Sequence, residues 1–545
     1  MTQSPLYKYW SWLALAITII FVAVIRIRLL QIPLERDEGE FAYMGQLLLQ
    51  GIPPYLIAYS MKLPGIFVAY ALVMAVFGQT ITGIHIGLML VNAVAIVLVF
   101  LLARRLFDDI AGVVAAVGYG LLSLSPSVLG TSAHATQFIV PLALGGTLLM
   151  LKSLDSGKYW ILLASGLLYG LAFIMKQHAV FFIMFALIYF IGRILKTKPI
   201  DWKTLAGKTS LFVLTAAIPF AVCCILLYTA GVFSKFWFWA FSYAQQYVAQ
   251  RTLADAPQHF MSSAPGAIAP WGWFWAIAGI GLTATFWNEK AKAHRLFILG
   301  FSIFSFLTIC PGFFFREQYF VTLLPAIALL AGVAVSAMIQ FLVQKKTPML
   351  LKSLPVLVIA ATLIFPVIKL NSFFFWAEPG EASRMMYGAN PFPESVEIAD
   401  YIKRHSSRDD KIAVIGSEPQ IYFYADRKSA TGYIYVYGLM ELQAYASRMQ
   451  LAMIQEIETV RPKYAVFVKV PTSWLRKKNS DMTILEWVQT YLDANYRIVG
   501  IMDIFNDYYS AHWDEDARSY RPVSDTNVYV LERISSDTQK ETPAS

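Results

Sequence analysis

The sequence predicts an all-α polytopic membrane domain followed by a small α/β domain outside the membrane. Of the 545 residues, 57% are hydrophobic and only 14% are charged, whereas an ordinary soluble domain has about 25% charged residues. The hydrophobic residues form runs that are long enough to cross a bilayer, and these runs stop at residue 371. One globular core could not hold them all. We therefore divide the chain into a membrane domain, 1–371, and a C-terminal domain, 372–545.

Eleven apolar windows are candidates for membrane spans, although two of them are short. They lie at residues 10–30, 84–103, 110–127, 137–151, 159–176, 178–195, 209–230, 271–287, 296–312, 319–341 and 351–371. The first window is too long for the core of a signal peptide and lacks a small-residue cleavage site. We therefore expect it to be retained as the first span.

The positions of the basic residues predict on which side of the membrane each loop lies. The membrane domain has 25 Lys and Arg residues but only 11 Asp and Glu residues. If the apolar segment 64–78 is a re-entrant or interface-lying helix, sixteen of the basic residues fall on the same side of the membrane. They lie before the first span or in turns between spans. The positive-inside rule assigns that side to the cytoplasm. We expect eleven spans, a cytoplasmic N-terminus and an extracytoplasmic C-terminal domain, with Arg26 and Arg28 as exceptions to the rule.

Charge and cysteine content exclude two kinds of site. The net charge of +9 belongs to the membrane domain, because the C-terminal domain has 19 basic and 24 acidic residues. The basicity therefore reflects topology, and we expect no nucleic-acid partner. The three cysteines, Cys223, Cys224 and Cys310, lie in or at the end of apolar runs and do not have the spacing of metal ligands.

Helical and strand-like patterns alternate in the C-terminal domain. Helices are predicted at 394–405, 439–460 and 482–495, and strands at 411–416, 464–470, 498–505 and 528–534. This alternation is typical of a small α/β domain. The segment 412–417 is similar to the first strand and turn of a nucleotide-binding fold, but no glycine-rich phosphate loop follows it, so we expect no nucleotide there.

Acidic residues of the membrane domain are concentrated in the first external loop, which we place at 31–83. Four of the eleven acidic residues of the membrane domain occur close together in this loop, at Glu35, Asp37, Glu38 and Glu40. Carboxylates at a membrane surface between two apolar segments are candidates for general acid–base chemistry. A structural role is the alternative, because Asp37 and Glu40 have the spacing of a capping box for a helix that reaches about Leu49. Capping would not exclude catalysis by the same side chain.

The same loop carries a lysine that could bind an anion. Lys62 stands immediately before Pro64 and the apolar segment that follows it. A lone lysine at a membrane interface often extends to water or to lipid phosphate, and this role is the alternative to a role in a substrate site. One loop thus offers a base and a phosphate-binding group within 25 residues.

Short motifs in this loop resemble the first external loop of glycosyltransferase family 39. They are Arg36-Asp-Glu-Gly-Glu-Phe-Ala-Tyr43, Gly51-Ile-Pro-Pro-Tyr55, Lys62-Leu-Pro-Gly65 and Phe77-Gly78. The family belongs to the GT-C superfamily and contains the protein O-mannosyltransferases, the lipid A aminoarabinose transferases and the RgtA/B/C/D-like lipopolysaccharide transferases. The resemblance covers about residues 10–345. It implies a polyprenyl-phosphate sugar donor, juxtamembrane helices in the loop and activity on the extracytoplasmic face.

Two features depart from that family. Many members have Lys-Pro-Pro where this chain has Leu63 between Lys62 and Pro64. The C-terminal domain also differs from the carbohydrate-binding module of eukaryotic mannosyltransferases. The second departure favours a glycolipid, lipopolysaccharide or cell-surface polysaccharide acceptor over a protein.

The resemblance implies roles for individual residues. Asp37 would accept the proton of the acceptor hydroxyl, and Glu38 would orient Asp37 or share its proton, with a like-charged neighbour expected to raise the pKa of the base. Lys62 would stabilise the departing polyprenyl phosphate, with Arg316 and Lys176 as further phosphate-binding candidates; for Arg316, an ion pair with Glu317 is the alternative. Additional substrate-binding candidates are Glu40, Tyr43, Tyr59, His134, Gln318 and Tyr319.

We therefore predict an inverting glycosyltransferase of a bacterial-type inner membrane that acts in building the cell envelope, for example in lipopolysaccharide biosynthesis. It is expected to need no cofactor and no metal, although Asp37 and Glu38 could hold a divalent cation. A protein O-glycosyltransferase is the alternative within the class. A transporter or flippase of a lipid-linked glycan is the main rival, but it would place ionisable groups in mid-span and show inverted repeats. We find neither in the sequence. A structural subunit that recruits partners through its C-terminal domain is a further rival, but it would not require acids beside Lys62.

Overall fold

The computed structural model describes residues 5–196 and 199–534. Lys198 of the predicted basic clusters and the last eleven residues of the predicted C-terminal domain lie outside these ranges. The membrane domain contains the helices α1 (Pro5–Arg28), α2 (Arg36–Leu49), α3 (Gly65–Phe77), α4 (Ile81–Leu106), α5 (Asp109–Leu122), α6 (Ala135–Ser156), α7 (Tyr159–Met175), α8 (Val180–Leu195), α9 (Trp202–Thr229), α10 (Phe233–Trp237), α11 (Ala244–Val248), α12 (Ala256–Ile268), α13 (Gly272–Trp287), α14 (Glu289–Ala293), α15 (Arg295–Leu307), α16 (Leu324–Gln344) and α17 (Met349–Lys369).

A helix lies in each of the eleven windows that the hydropathy pattern predicts to be spans. In the described part of the chain, seven helices are long and apolar enough to cross a membrane, and α12 and α13 form a pair bent by 111° that could provide an eighth span. The protein is therefore an integral membrane protein with several passes. The helices α5, α7 and α15 are apolar but shorter, so the total of eleven spans stays a prediction.

The segment predicted to be re-entrant or to lie at the interface forms the helix α3. Its 13 residues extend over roughly 20 Å at about 1.5 Å per residue, whereas the apolar core of a bilayer is about 30 Å thick. The helix packs against α2 and α4. Its length fits the expected re-entrant or interfacial position, although α15 has the same number of residues.

The capping box of α2 lies two residues before the predicted one. Glu35 is the N-cap residue, its side chain accepts a hydrogen bond from the amide of Glu38, and the Glu38 side chain accepts one from the amide of Glu35. The predicted box of Asp37 and Glu40 is therefore wrong, while the predicted helix end at Leu49 is confirmed. Because capping uses Glu35 and Glu38, the side chains of Asp37 and Glu40 are left for other contacts.

The two arginines that oppose the positive-inside rule bind backbone carbonyl groups. Arg26 is buried and donates hydrogen bonds to the carbonyls of Ser123 and Gly130, at 3.0 and 3.2 Å. Arg28 donates to three carbonyls where the C-terminal domain begins, those of Phe373, Phe374 and Ala377. Both residues therefore hold tertiary structure together, which explains why a rule about loop charge does not account for them.

The C-terminal domain is a mixed sheet with helices packed against it. Its strands are β1 (Lys411–Ile415), β2 (Lys428–Ser429), β3 (Tyr464–Lys469), β4 (Tyr496–Ile504), β5 (Tyr509–Trp513) and β6 (Asn527–Arg533). Its helices are α18 (Pro379–Tyr387), α19 (Phe392–His405), α20 (Gln420–Ala425), α21 (Tyr437–Met440), α22 (Ala446–Val460), α23 (Pro471–Trp474), α24 (Thr483–Asn495) and α25 (Asp514–Ser519). The strand order is β2-β1-β3-β6-β4-β5, with β1 parallel to β2 and β3 and the other pairs antiparallel.

The predicted α/β class of this domain is confirmed, with two local differences. All four predicted strands occur, and β2 and β5 were missed because they are short strands at the edges of the sheet. The helix predicted at 439–460 is interrupted, because residues 441–445 separate α21 from α22. The interruption follows residues 437–439, which line the cavity described below.

The two domains are joined by polar and close apolar contacts. Arg36 of α2 forms a buried ion pair with Glu418 at 2.8 Å. The amide of Ser429 donates to the hydroxyl of Tyr43 at 2.8 Å. Gly39 lies so close to α20 that a Cβ atom there would come within 2.6 Å of the Gln420 backbone. The first external loop is thus fixed between the membrane helices and the C-terminal domain.

The predicted orientation can be measured by labelling single cysteines in intact cells. After replacement of the three native cysteines by alanine, Asn479→Cys in the C-terminal domain should react with a membrane-impermeant maleimide. Lys158→Cys, in the turn between α6 and α7, should react only after permeabilisation, because that turn is predicted to be cytoplasmic. Both positions are exposed, so accessibility is matched. Labelling of position 158 from outside would contradict the orientation.

Candidate active site

A cavity of about 670 Å³ lies where the first external loop, the loops between spans and the C-terminal domain meet. The charged residues that line it are Glu35, Arg36, Asp37, Glu40, Lys62, Lys176, Arg316 and Glu317. The predicted candidates His134 and Gln318 lie beside them, and so does His178. Aromatic residues line much of the remaining wall. All of the sequence-predicted site residues except Glu38 and Tyr43 therefore converge, although some of them are more than 280 positions apart in the chain.

The cavity carries an ion pair between Asp37 and Lys62. The Lys62 Nζ lies 3.1 Å from Asp37 Oδ1, and both side chains are 16% exposed. Burial by itself would raise the pKa of Asp37, but Lys62, together with His134 and Lys176, outweighs burial and holds this pKa well below its usual range. The expected rise of the pKa through a like-charged neighbour is therefore wrong, because the nearest charge is positive.

Glu40 is the second carboxylate of the cavity. It lies one helical turn after Asp37, its Oε2 atom is 4.0 Å from Lys62 Nζ, and its side chain is 3% exposed. Burial raises its pKa to about 7, partly offset by Lys62 and reinforced by Asp37. Near neutral pH, Glu40 is thus able to take up or release a proton.

Two further cations face the cavity without a carboxylate partner. In the described ranges, no acidic group lies within ion-pair distance of Lys176 or Arg316, so the alternative pairing of Arg316 with Glu317 does not occur. The Nζ atom of Lys176 lies 4.0 Å from the centre of the Tyr319 ring. Burial, with Lys62 and Arg316 acting in the same direction, lowers the pKa of Lys176 to about 7. An anion entering the cavity would meet these unpaired charges.

His134 lies beside the carboxylates, and together they offer metal ligands. Its Nδ1 atom is 3.6 Å from Glu35 Oε1 and 3.8 Å from Asp37 Oδ2. Burial lowers the pKa of His134 to about 4, so the ring is neutral at pH 7. Ligand atoms of these three residues lie within 4.8 Å of one another, which would suit a divalent cation. The predicted alternative pair of Asp37 with Glu38 does not converge, because Glu38 points elsewhere.

Glu38 and Tyr43 do not line the cavity. Glu38 is completely buried, with its Oε1 atom 2.6 Å from the Ala133 amide and 3.1 Å from Nε2 of His85. These hydrogen bonds lower its pKa although burial opposes them. Tyr43 binds the Ser429 amide and stacks on Tyr422 at 5.2 Å. The geometry does not support proton sharing by Glu38, which instead fixes the loop to the membrane domain.

The remaining predicted residues lie in the wall, together with several that the sequence reasoning missed. Tyr59, Gln318 and Tyr319 line the cavity as predicted. Trp239, Tyr243 and Tyr247 from the helical segment after α9 also line the cavity, and the missed residues are Tyr433, Tyr435 and Tyr437 from the C-terminal domain. The alternating tyrosines between Gly432 and Gly438 were a visible signal, but their distance from loop 31–83 in sequence concealed the contact.

Comparison with known proteins identifies the fold. Residues 62–239 match the model of a family described as dolichyl-phosphate-mannose-protein mannosyltransferase. The structure of ArnT from Cupriavidus metallidurans bound to undecaprenyl phosphate superposes with a TM-score of 0.58 at 15% identity, covering 97% of this chain and 98% of that chain. The chain has the GT-C fold.

Two oligosaccharyltransferase structures from Archaeoglobus fulgidus extend the comparison. The apo form has a TM-score of 0.55, and AglB in complex with an inhibitory peptide and a dolichol-phosphate has 0.53, each at 12% identity with 96% of this chain and 76% of that chain covered. No curated protein sequence matches the chain. The family match and the shared fold confirm the predicted GT-C superfamily, fold class and enzyme class, a glycosyltransferase. The roles of single residues stay predictions.

The position of Glu38 predicts that it acts on stability more than on catalysis. Glu38→Gln keeps an acceptor for the Ala133 amide but loses the charge and the second half of the capping box, which should cost about 1–3 kcal/mol. We expect a lower unfolding midpoint in detergent and a kcat within tenfold of wild type. The neighbouring isosteric change Asp37→Asn is the comparison, and a greater kcat loss in Glu38→Gln would restore Glu38 as a catalytic candidate.

Proposed function

We propose that the protein transfers a sugar from a polyprenyl-phosphate donor to a hydroxyl group of an extracytoplasmic acceptor, with inversion at the anomeric carbon. The observation that carries the proposal is the convergence, in one cavity, of a carboxylate, Asp37, with three cations, Lys62, Lys176 and Arg316. A base and a phosphate-binding cluster are the two groups that this transfer requires. Bound undecaprenyl phosphate in ArnT and dolichol-phosphate in AglB support the donor class.

The proposed transfer needs no reacting groups other than the two substrates and these side chains. The acceptor oxygen attacks the anomeric carbon and forms the new glycosidic bond, while its proton passes to a carboxylate oxygen of Asp37. The bond between the anomeric carbon and the phosphate oxygen breaks, and its electron pair leaves with the polyprenyl phosphate. Attack opposite the leaving group inverts the configuration. Lys62, Lys176 and Arg316 would bind the charge that appears on the departing phosphate.

The ion pair between Asp37 and Lys62 suggests how donor binding prepares the base. In the structure Lys62 is bound to Asp37, which keeps the pKa of that carboxyl low. A donor phosphate would compete for Lys62, so the positive charge would act less on Asp37 and its pKa would rise. The donor would thereby convert Asp37 into a better proton acceptor. Glu40, with a pKa of about 7, is the second candidate for this role.

The location of the cavity supports a lipid-linked donor. The wall formed by residues 239–249 contributes aromatic and aliphatic side chains next to the cations, and such a surface suits a prenyl chain beside its phosphate. The predicted outer location of the cavity would give the acceptor access from the extracytoplasmic side. We propose a glycolipid, lipopolysaccharide or cell-surface polysaccharide of a bacterial-type envelope as the acceptor.

A transporter of lipid-linked glycans is the rival that shares the cavity and its cations. A transporter has no use for a base aligned with the phosphate site, whereas its ionisable residues would lie in mid-span. The charged cavity residues lie at helix ends and in loops, outside the long apolar spans. This distribution favours transfer over transport.

The decisive test is sugar transfer from a panel of polyprenyl-phosphate sugars by the purified protein in nanodiscs. A membrane glycolipid extract serves as the acceptor, and radiolabelled product is measured. We expect one donor to be consumed by wild type, with EDTA-treated protein retaining activity. Asp37→Asn should lower kcat by about a hundredfold to ten-thousandfold, because general-base catalysis typically contributes 10²–10⁴.

Glu40→Gln is the matched control for this experiment, since it also neutralises a buried cavity carboxylate. A smaller loss in Glu40→Gln than in Asp37→Asn assigns the base to Asp37, and the reverse order assigns it to Glu40. Loss of activity with EDTA that Mg²⁺ or Mn²⁺ restores would replace the metal-free mechanism with one using Glu35, Asp37 and His134. Donor flipping without transfer would support the transporter.

The lowered pKa of Lys176 predicts that donor binding depends on pH. Its pKa lies near 7, so its charge is present below pH 7 and is lost as the pH rises above this value. The donor is a phosphodiester and stays ionised throughout this range, so any titration belongs to the protein. Between pH 6 and pH 8.5 the donor KM should rise about three- to tenfold. Lys176→Met should raise KM at pH 6 and remove most of the dependence, with Glu40 accounting for the remainder.

Lys235→Met is the control for this pH series, because Lys235 lies outside the cavity and donates to the carbonyl of Leu56. It should keep the wild-type slope. An unchanged slope in Lys176→Met would show that Lys176 does not contact the donor phosphate.

A further inference from the structure

The C-terminal domain supplies one wall of the cavity through residues 429–441, which we call the tyrosine segment. The amide of Tyr59 in the first external loop donates to the carbonyl of Gly432 at 2.7 Å. A Cβ atom at position 432 would lie 2.1 Å from the Tyr59 ring, so glycine is required for this approach. The tyrosine segment therefore sits directly on the loop that carries Asp37 and Lys62.

Both ends of the tyrosine segment are fixed. Glu456 of α22 accepts hydrogen bonds from the hydroxyl of Thr431 at 2.6 Å, the amide of Gly432 at 2.8 Å and the hydroxyl of Tyr59 at 3.1 Å. At the other end, the Tyr243 hydroxyl donates to Glu441 at 2.7 Å. These contacts hold the segment in place from three sides: α22, the first external loop and the helix after α9.

The three tyrosines of the segment differ in what their side chains do. Tyr433 packs its ring edge-on against Tyr59 at 5.2 Å. Tyr437 donates its hydroxyl to the carbonyl of Thr472 at 2.7 Å. Tyr435 is half-buried, lines the cavity and packs edge-on against Tyr437 at 4.7 Å, and in the described part of the chain its hydroxyl has no hydrogen-bond partner. Its hydroxyl is therefore available to a ligand.

The surroundings of Tyr435 place it next to the proposed chemistry. Its pKa is raised well above the usual value by burial first and by neighbouring charges, including that of Asp37, while Arg36 opposes the rise. The hydroxyl therefore keeps its proton at physiological pH and can donate a hydrogen bond. Arg316, on the phosphate-binding side, is also within electrostatic range of Tyr435. Tyr435 therefore lies within electrostatic range of both the candidate base and one of the candidate phosphate-binding cations.

We propose that the C-terminal domain completes the active site and that Tyr435 binds the acceptor. This inference rests on the proposed glycosyl transfer. The three phosphate-binding candidates all come from loops of the membrane domain, whereas Tyr435 comes from the C-terminal domain, which lines the same cavity. A hydroxylated acceptor would use the free hydroxyl for a directional hydrogen bond and the ring for apolar contact with a sugar face. The tyrosine segment would then determine acceptor specificity.

Steady-state kinetics of Tyr435→Phe test this assignment, because the change removes one hydroxyl and keeps the ring. The full-length protein in nanodiscs is assayed with the active polyprenyl-phosphate sugar as donor and the membrane glycolipid extract as acceptor. We expect the acceptor KM to rise about three- to tenfold, as for one lost hydrogen bond of about 0.5–1.5 kcal/mol. The donor KM should stay within twofold. KM values do not depend on the folded fraction, so partial misfolding cannot imitate this result.

Tyr424→Phe is the matched control. Its hydroxyl accepts from the Leu34 amide at 2.8 Å, where the C-terminal domain meets the first external loop, and it lies outside the cavity. It should leave the acceptor KM unchanged. An equal rise in Tyr424→Phe would mean that domain docking, and not the Tyr435 hydroxyl, controls acceptor use, and this would overturn the inference.

Two other outcomes would also overturn it. A rise in the donor KM with an unchanged acceptor KM would assign Tyr435 to the donor, and unchanged values of both would mean that its hydroxyl contacts neither substrate. If wild type consumes no donor at all, the proposed function itself fails. The two failures are therefore distinguishable.

Discussion

The arrangement of the site depends on three consecutive charged residues at the start of one short helix. Successive side chains of a helix are rotated by about 100°, so Arg36, Asp37 and Glu38 point in three directions. Arg36 binds Glu418 of the C-terminal domain, Asp37 binds Lys62 in the cavity, and Glu38 binds the Ala133 amide of the membrane domain. One turn of helix therefore connects both domains and orients the candidate base.

The contact of Arg36 with Glu418 and the contact of Glu38 with the Ala133 amide each fix a buried charge. These two contacts make the arrangement rigid. Glu38 and Glu418 are both completely buried, and removing one partner of the buried ion pair between Arg36 and Glu418 should cost about 3–5 kcal/mol. Asp37 and Lys62 differ, because both remain 16% exposed towards the cavity. A ligand can therefore compete for Lys62 without breaking the contacts that hold the helix. This separation of rigid support from an exchangeable ion pair fits a catalytic site.

Residue patterns alone pointed to the part of the site that lies in one loop, whereas the family resemblance was needed to add distant residues such as Lys176 and Arg316. Asp37, Glu40 and Lys62 belong to one loop, and both carboxylates and the lysine do line one cavity. Glu38 was expected to act beside Asp37 in the site, because the directions of adjacent acids are not known until the helix start is known. Tyr435 was missed since nearly 400 residues separate it from Asp37, and only the packing of Gly432 on Tyr59 brings them together.

The sequence by itself determined the membrane domain, the α/β class of the C-terminal domain and the loop that carries the acids. Hydropathy, periodicity and residue spacing follow directly from the order of residues. The tertiary structure decided that Glu35 and Glu38 cap α2, that Arg26 and Arg28 bind carbonyl groups, and that the C-terminal domain closes the cavity. These features depend on which distant groups become buried together, because burial selects the partner of each charge, and no local pattern contains that information.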